Sequence, residues 1–153
     1  MSMIFNFFMV LLNVDRSYKT FITSIIMFIS YFFSDHFNDF FSTNHIFLTW
    51  ALYDLSAILL IFLATKYLKN NASIAINYVY FGLIINSIFF LLMYLDLIIF
   101  ETRETWWFWT AYTVSVNIID LMMIVALITD RDYLKLIRLK KLVQKTMIKK
   151  ALN

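Results

Sequence analysis

The sequence predicts an all-α integral membrane protein with four transmembrane helices and both termini in the cytoplasm. The first reason is composition, because 62% of the 153 residues are hydrophobic and 20% are aromatic, whereas an ordinary soluble domain is about 45–50% apolar. The second is that the chain has one glycine, Gly82, and no proline, which argues against β architectures because these need turn residues and alternating patterns. The third is the placement of basic residues between long apolar segments.

The predicted elements follow in order along the chain. An N-terminal segment, 1–14, is apolar but shorter than the about 20 residues that a transmembrane helix needs, so it predicts a helix at the membrane interface. The membrane bundle is predicted over 15–130, with spans at about 18–34, 46–65, 72–100 and 106–129. The third span is longer than a hydrocarbon core of about 30 Å requires, so it should tilt or protrude. The fourth begins with three tryptophans, which is typical of a membrane–water interface.

Lysine and arginine residues define the predicted orientation. They lie before the first span, in the turn after the second and in large number after the fourth, whereas Arg103 alone lies between the third and fourth. Cytoplasmic segments carry the excess of basic residues, so both termini and the 66–71 turn should be cytoplasmic and the 35–45 and 101–105 loops external. We expect a bacterial inner-membrane protein with N-in/C-in topology, although the composition also fits an AT-rich organellar gene.

The predicted C-terminal helix, 131–153, is basic and amphipathic. From Tyr133 onward the chain has seven basic residues and no acidic one. Such a helix rests on anionic lipid headgroups, to which each basic residue adds about 1 kcal/mol of attraction. Docking of an acidic cytoplasmic protein is the alternative, and nucleic-acid binding is not favoured because no recognisable motif is present. The predicted contact residues are Lys135, Arg138, Lys140, Lys141, Lys145, Lys149 and Lys150.

Two carboxylates are predicted near the middle of the membrane. Asp54 precedes Lys66 by 12 residues and Asp120 precedes Arg131 by 11, which places both roughly 16–18 Å from the cytoplasmic boundary. The glycine of the third span should reach the same depth, where it lets helices approach closely. Polar and small residues that recur at intervals of three and four should face inward with these acids. The candidate intramembrane cluster is Asp54, Asp120, Asn117, Asn86 and Gly82.

The predicted cluster lacks a cationic partner. No Lys, Arg or His lies deep in any span, so each acid must be protonated, share a proton, accept hydrogen bonds or bind an external cation. The favoured interpretation is a neutral, hydrogen-bonded contact that fixes helix register or an oligomer, because interhelical polar contacts are common. One alternative is a proton or cation path, because ionisable residues at this depth often mark such paths. The other is a docking site for a membrane partner.

The predicted external loop carries a candidate metal set. Asp35, His36, Asp39 and His45 supply oxygen and nitrogen atoms of the kind that bind divalent ions. Their spacing matches no metal-binding signature. A solvated loop is therefore the favoured interpretation, and no cofactor is predicted.

The sequence contains no recognisable catalytic set, because a Gly-rich phosphate loop, a nucleophile context and a metal motif are all missing. We therefore expect a non-enzymatic membrane subunit that forms homo-oligomers or joins a larger complex and docks a cytoplasmic partner. Toxin-immunity proteins and membrane components of anti-phage defence systems offer an analogy of size and topology alone. Two alternatives stay open. One is an oligomeric ion or proton channel or transporter subunit that uses Asp54 and Asp120, and the other is an accessory subunit of a respiratory or motor complex.

Overall fold

The structure is a computed structural model that describes residues 2–11, 18–36, 45–68, 73–102 and 106–130. Every regular element in these ranges is helical, and none is a β-strand. The helices are α1 (Ser2–Leu11), α2 (Tyr18–His36), α3 (Ile46–Tyr67), α4 (Ile74–Tyr94) and α5 (Trp107–Thr129). A π-helical segment, Leu95–Ile99, continues α4. The prediction of an all-α protein is confirmed for the described part of the chain.

Three helices are long and apolar enough to cross a membrane. They are Ile46–Tyr67, Ile74–Ile99 and Trp107–Thr129, with mean hydropathies of 2.1, 2.2 and 2.0. Such helices are typical of a membrane protein. A fourth apolar stretch, Tyr18–Ser34 in α2, is shorter, so the four-span topology and its orientation remain proposals. These four helices nevertheless begin and end within two residues of the segments predicted from the sequence.

Helix α4 holds the bundle together by packing against both α3 and α5, while α2 packs mainly on α3. Tyr78, Val79 and Leu83 of α4 are wholly buried in these contacts, together with Ile61 of α3. Many large apolar side chains on the remaining faces are exposed. Exposed leucine, isoleucine and phenylalanine suit helices surrounded by lipid, because lipid tails are as apolar as these side chains.

Helix α1 packs against α2 and α5 through a buried asparagine. The side-chain Nδ2 of Asn6 donates to Ser24 Oγ at 2.6 Å and to the carbonyl oxygen of Leu127 at 3.1 Å. Ser24 Oγ in turn donates to the carbonyl oxygen of Thr20 at 2.8 Å. A buried amide without partners is costly in apolar surroundings. These bonds therefore fix where α1 lies on the bundle.

At one end of the bundle, called the Asp130 end, a carboxylate joins three helices. Asp130 follows α5 with a left-handed backbone, at φ 50° and ψ 40°. Its Oδ1 accepts hydrogen bonds from Ser73 Oγ and from the backbone N–H of Ala75, both at 2.8 Å, and Thr20 Oγ1 of α2 donates to Ser73 Oγ at 2.8 Å. The first N–H groups of a helix lack intrahelical partners, and a carboxylate also suits the positive end of the helix dipole. Asp130 therefore caps α4 from the end of α5.

At the opposite end, called the Trp106 end, Asp96 of the π-helical segment is also hydrogen-bonded. Its Oδ2 accepts from Nε1 of Trp109 at 2.9 Å and from Nε1 of Trp106 at 3.2 Å. The sequence predicts an interfacial aromatic belt here, and the structure adds that two of its indoles bind a carboxylate. An indole N–H usually needs an acceptor when the ring is partly buried. This contact joins the end of α4 to the start of α5.

Candidate functional site

Between the two ends, side chains from four helices line a partly open cavity of about 230 Å³, called the acid cavity. Helices α3 and α5 contribute the two predicted acids, Asp54 and Asp120. The lining residues are Ser30, Tyr31, Ser34, Trp50, Tyr53, Asp54, Phe90, Tyr112, Val116 and Asp120. The structure thus brings both acids to one cavity in the interior of the bundle.

Asp120 is hydrogen-bonded to two other helices. Its Oδ1 accepts from the hydroxyl of Tyr31 in α2 at 2.6 Å and from Nδ2 of Asn86 in α4 at 2.7 Å. Asn86 is 1% exposed, so its amide needs an acceptor inside the protein. One carboxylate oxygen therefore joins α2, α4 and α5, which is the kind of contact that fixes helix register.

Asp54 faces the same cavity with a different set of neighbours. The residue is 7% exposed, and its Oδ2 is buried without a hydrogen-bond partner within the described residues. Its inward position follows from helical spacing, because Ala51, Ala57 and Ile61 lie at intervals of three and four on the same face of α3 and are wholly buried. Packing of this face therefore holds the carboxylate in the interior.

The acid cavity contains two carboxyl groups and, within the described residues, no basic side chain beside them. Lys19 and Lys66 instead line a separate cavity that also contains Ser73, toward the Asp130 end. An isolated ionised carboxylate is costly to bury, so it takes up a proton or pairs with a cation. The cavity is therefore suited chemically to holding one or the other.

Aromatic rings line the acid cavity on the side toward the Trp106 end. Trp50, Phe90 and Tyr112, from α3, α4 and α5, are called the aromatic wall. The ring centroids of Trp50 and Phe90 are 5.5 Å apart, and those of Phe90 and Tyr112 are 6.0 Å apart. Phe47 packs behind them, 5.4 Å from Trp50 and 5.9 Å from Tyr112. Such edge-on and tilted ring contacts are favourable, so the wall is held in place by its own packing.

A second cavity, of about 330 Å³, adjoins the first and is mainly apolar. It is called the methionine cavity, and α1 contributes to it through Met3. Its lining residues are Met3, Met27, Phe28, Tyr31, Asp120, Met123, Ile124 and Leu127. Tyr31 and Asp120 line both cavities. The hydrogen bond between these two side chains therefore stands between the two cavities.

Gly82 has a packing role beside this site. A Cβ atom added to Gly82 would contact Met123 Sδ, would lie 2.6 Å from Met123 Cγ and would lie 3.2 Å from Ile119 Cγ2. The missing side chain thus lets α5 approach α4 closely, as the sequence predicts for a glycine at a helix contact. The close neighbours are side chains of α5, three residues from Asp120 in the case of Met123.

Asn117 is not brought into the cluster, which differs from the sequence prediction. Its side chain is exposed, and its Nδ2 donates to the carbonyl oxygen of Thr113 in its own helix at 2.7 Å. Thr110 and Thr113, which precede it on the same face at intervals of three and four, are exposed as well. The buried face of α5 is the one that carries Met123. Because positions three residues apart are rotated by about 60° around a helix, Asp120 lies at the edge of that face and Asn117 lies beyond it.

The other predicted site residues lie away from the acid cavity or outside the described residues. The basic tail, 131–153, and Asp39 are outside them. Asp35 belongs to the last turn of α2. His36 is exposed, with its Nδ1 3.1 Å from the carbonyl oxygen of Phe32. His45 is also exposed, and its ring packs against the ring of Tyr94 in α4. In the ranges that the structure describes, no three His, Cys, Asp or Glu residues are arranged to hold a metal ion.

Sequence reasoning missed the contribution of α2 to the site. Tyr31 is the hydrogen-bond donor from this helix, and Ser30 and Ser34 line the acid cavity beside it. A signal was present in the sequence, because α2 carries hydroxyl-bearing residues in two groups that share one face, and the first group is wholly buried. The residues are Thr20, Thr23, Ser24, Ser30, Tyr31 and Ser34. A polar stripe of this kind on an apolar helix indicates an inward face.

Comparisons with protein-family models, with curated proteins and with solved structures found no match to this chain. The function of the acid cavity is therefore inferred from its own chemistry and geometry.

Proposed function

We propose that the protein is a non-enzymatic integral membrane protein that binds a proton or a small cation in the acid cavity and acts as an ion- or proton-coupled subunit. The observation that carries this proposal is the buried Oδ2 of Asp54, which has no hydrogen-bond partner among the described residues. It shares a cavity with a second carboxylate, Asp120. Because an isolated buried carboxylate is costly, a proton or cation is the partner that this arrangement favours.

The two acids have separate tasks in this proposal. Asp120 holds the helices in register through Tyr31 and Asn86, so its carboxylate is already engaged. Asp54 is the group that takes up and releases the proton or cation. Ionisable residues within spans commonly mark ion or proton paths, and the Tyr31–Asp120 pair is the position through which a path from the acid cavity to the methionine cavity runs. A single bundle is narrow for a pore, so we propose an oligomer.

The proposed topology is four spans with both termini in the cytoplasm of a bacterial inner membrane. Helix α2 is the short span, and its contacts with α5 support this assignment at two depths. Thr20 lies near Asp130 at one end, with 3.5 Å between Thr20 Oγ1 and Asp130 Oδ2, whereas Tyr31 reaches Asp120 in the interior. Ser34 continues along the acid cavity beyond that point. Side chains of α2 therefore reach α5 both at the Asp130 end and in the interior, although the helix packs mainly on α3.

Ion flux into liposomes tests the proposal directly. The reconstituted protein should carry protons or monovalent cations down an imposed gradient, and Asp54→Asn should reduce the rate at least tenfold because it removes the charge while keeping the side-chain shape. Glu101→Gln is the matched control, since Glu101 is an exposed carboxylate at the Trp106 end. Flux that Asp54→Asn leaves unchanged overturns the proposal. So does a wild-type protein with neither flux nor proton uptake in a pH titration.

A second candidate function is assembly into a larger membrane complex, and the exposed polar face of α5 favours it. Thr110, Thr113 and Asn117 are exposed beside apolar residues such as Val114 and Ile118. Polar side chains on a lipid-facing surface commonly pack against another helix. An anti-phage defence or toxin-immunity system, or a respiratory or motor complex, would supply such a partner.

The tail provides the test of this second candidate. In the proposal, residues 133–153 bind anionic headgroups and dock a cytoplasmic protein. Deletion of these residues should abolish recovery of that protein with the membrane fraction, while a charge-preserving exchange of the tail's arginine for lysine should retain it. If the deletion leaves recruitment of every co-purified protein unchanged, docking through the tail is wrong.

A further inference from the structure

The acid cavity combines carboxylates and aromatic rings in a way that distinguishes classes of cation. Calcium takes six to eight oxygen ligands and magnesium needs a near-octahedral set. In the acid cavity the hydroxyls of Ser30 and Ser34 lie on the α2 side, whereas Trp50, Phe90 and Tyr112 form the wall opposite the Asp130 end. Aromatic faces attract cations that carry an apolar shell, tryptophan most strongly, and quaternary ammonium groups are typically bound in this way.

The volume of the cavity also exceeds what a bare inorganic ion needs. About 230 Å³ is several times the roughly 30 Å³ that one water occupies in the liquid. Beyond the Tyr31–Asp120 pair lies the apolar methionine cavity of about 330 Å³. Methionine side chains are flexible and polarisable, so they adapt to apolar groups of different shape. The space beside the acids therefore suits an alkyl-substituted cation.

The unpartnered carboxylate supplies the site for the charge. Oδ2 of Asp54 is buried, has no hydrogen-bond partner in the described part of the chain, and belongs to a residue that is 7% exposed. Trp50 lies one helical turn from it on α3 and lines the same cavity. A carboxylate and an indole ring one turn apart, about 6 Å along the axis, are placed to contact the two sides of one small organic cation.

We propose that the acid cavity binds a monovalent organic ammonium ion, with its charge beside Asp54 and its alkyl groups against the aromatic wall. The proposal rests on the proposed function, because it names the class of cation that this site takes. Binding exchanges one cation for one proton. The O–H bond of the neutral Asp54 carboxyl group breaks, the proton passes to water, and the resulting carboxylate pairs with the ammonium ion. The hydrogen bonds of Asp120 stay in place, so helix register is kept.

Calorimetry and proton release on the purified protein in detergent test this proposal. Tetraethylammonium is the organic probe and sodium is the inorganic comparison. The wild type should bind one tetraethylammonium per chain and release one proton. Trp50→Leu should weaken this binding about 30-fold, which is the size expected for a desolvated cation–π contact, while Asp54→Asn should abolish both signals. Trp107→Leu is the matched control, because Trp107 is a 71% exposed indole outside the cavity.

Each result bears on a different level of the proposal. If tetraethylammonium does not bind but sodium or proton uptake depends on Asp54, the organic-cation inference is overturned and the proposed function stands. If neither cation nor proton uptake depends on Asp54, both are overturned. If the Trp50→Leu variant binds tetraethylammonium as tightly as the wild type, the aromatic wall is not part of the binding site. Trp50→Phe keeps a ring and should retain most of the affinity, which separates loss of the cation–π contact from misfolding.

Discussion

Asp54 and Asp120 line the same cavity, but within the described residues Asp120 is hydrogen-bonded to neighbouring helices and Asp54 is not. Its Oδ1 accepts from Tyr31 and Asn86, whereas Oδ2 of Asp54 is buried without a partner among the described residues. Depth of burial does not explain the difference, since Asp54 is the more buried of the two. The difference lies in the donors, because Tyr31 and Asn86 reach Asp120 whereas no described side chain donates to Oδ2 of Asp54. The same residue type therefore fixes register at one position and is available for binding at the other.

The ends of the bundle follow the pattern of Asp120. Asp96 accepts hydrogen bonds from two indoles, and Asp130 accepts from Ser73 and from a backbone N–H of α4. Where a carboxylate of this protein joins helices, donors from a neighbouring helix satisfy it. Asp54 departs from that pattern. Buried oxygens of Asn6, Thr23, Tyr80, Asn86 and Ser87 also lack a partner among the described residues, but these are amide or hydroxyl oxygens. A carboxylate costs far more to bury unpaired, which is the reason for assigning binding to Asp54.

The largest effect should come from Asp120→Ala. This substitution leaves the Tyr31 hydroxyl and the Asn86 amide buried without their acceptor, and unpaired buried donors are costly. Interhelical hydrogen bonds in membranes average somewhat less than those in water, so the free energy of unfolding should fall by about 2 to 3 kcal/mol. Equilibrium unfolding in lipid bicelles measures it.

Asp54→Ala is the matched comparison for that measurement. Because Oδ2 of Asp54 has no partner to lose, the free energy of unfolding should stay unchanged or rise. Equal losses for the two variants would show that both acids hold helices together. The distinction between register and binding would then be wrong.

Gly82→Ala should have the next largest effect and should act on the Asp120 side. The new Cβ would meet the buried side chain of Met123, and such overpacking costs about 1 to 3 kcal/mol. A double-mutant cycle with Met123→Ala checks the cause. The two changes together should destabilise less than the sum of their separate effects, because the smaller residue makes room for the new methyl group. Additive losses would mean that Gly82 is needed for another reason.

Tyr31→Phe should have a smaller effect and makes Asp120 more like Asp54. It removes one of the two donors to Asp120 and leaves the ring in place, so the free energy of unfolding should fall by about 1 kcal/mol. Tyr53→Phe is the control, since Tyr53 lines the same cavity and makes no hydrogen bond to either acid within the described residues. A loss with Tyr53→Phe as large as that with Tyr31→Phe would contradict the assignment of the donor.

The apolar runs and the basic residues between them predict the positions of the helices, and helical spacing predicts the inward placement of Asp54, Gly82 and Asn86. Ala51 and Ala57 mark the face of Asp54 at intervals of three, and Gly82 and Asn86 lie four residues apart on one face of α4. The partner of each acid could not be predicted in the same way. A hydrogen bond depends on which side chain of another helix reaches the same depth, and that depends on packing between helices. Tyr31 is the example, since its helix, α2, is the shortest of the four predicted spans and packs mainly on α3 rather than on α5.

Spacing also fails where a stripe lies at the boundary between buried and exposed faces. Asn117 and Asp120 are three residues apart, which is close enough to be read as one face, yet the rotation of about 60° between them places Asn117 on the exposed surface. Neighbouring helices decide where that boundary falls. The sequence of α5 alone does not contain this information.

The smallest effect on stability should come from Asn117→Leu, which tests the other side of that boundary. Asn117 is exposed and donates within its own helix, so the free energy of unfolding of the isolated bundle should change by less than about 0.5 kcal/mol. Energy transfer between labelled copies in liposomes should fall if the polar face of α5 mediates assembly, because the exposed amide is then lost from a helix–helix contact. Unchanged energy transfer would show that this face of α5 does not mediate assembly. A loss of stability as large as that of Asp120→Ala would instead mean that Asn117 belongs to the interior cluster, as its spacing predicts.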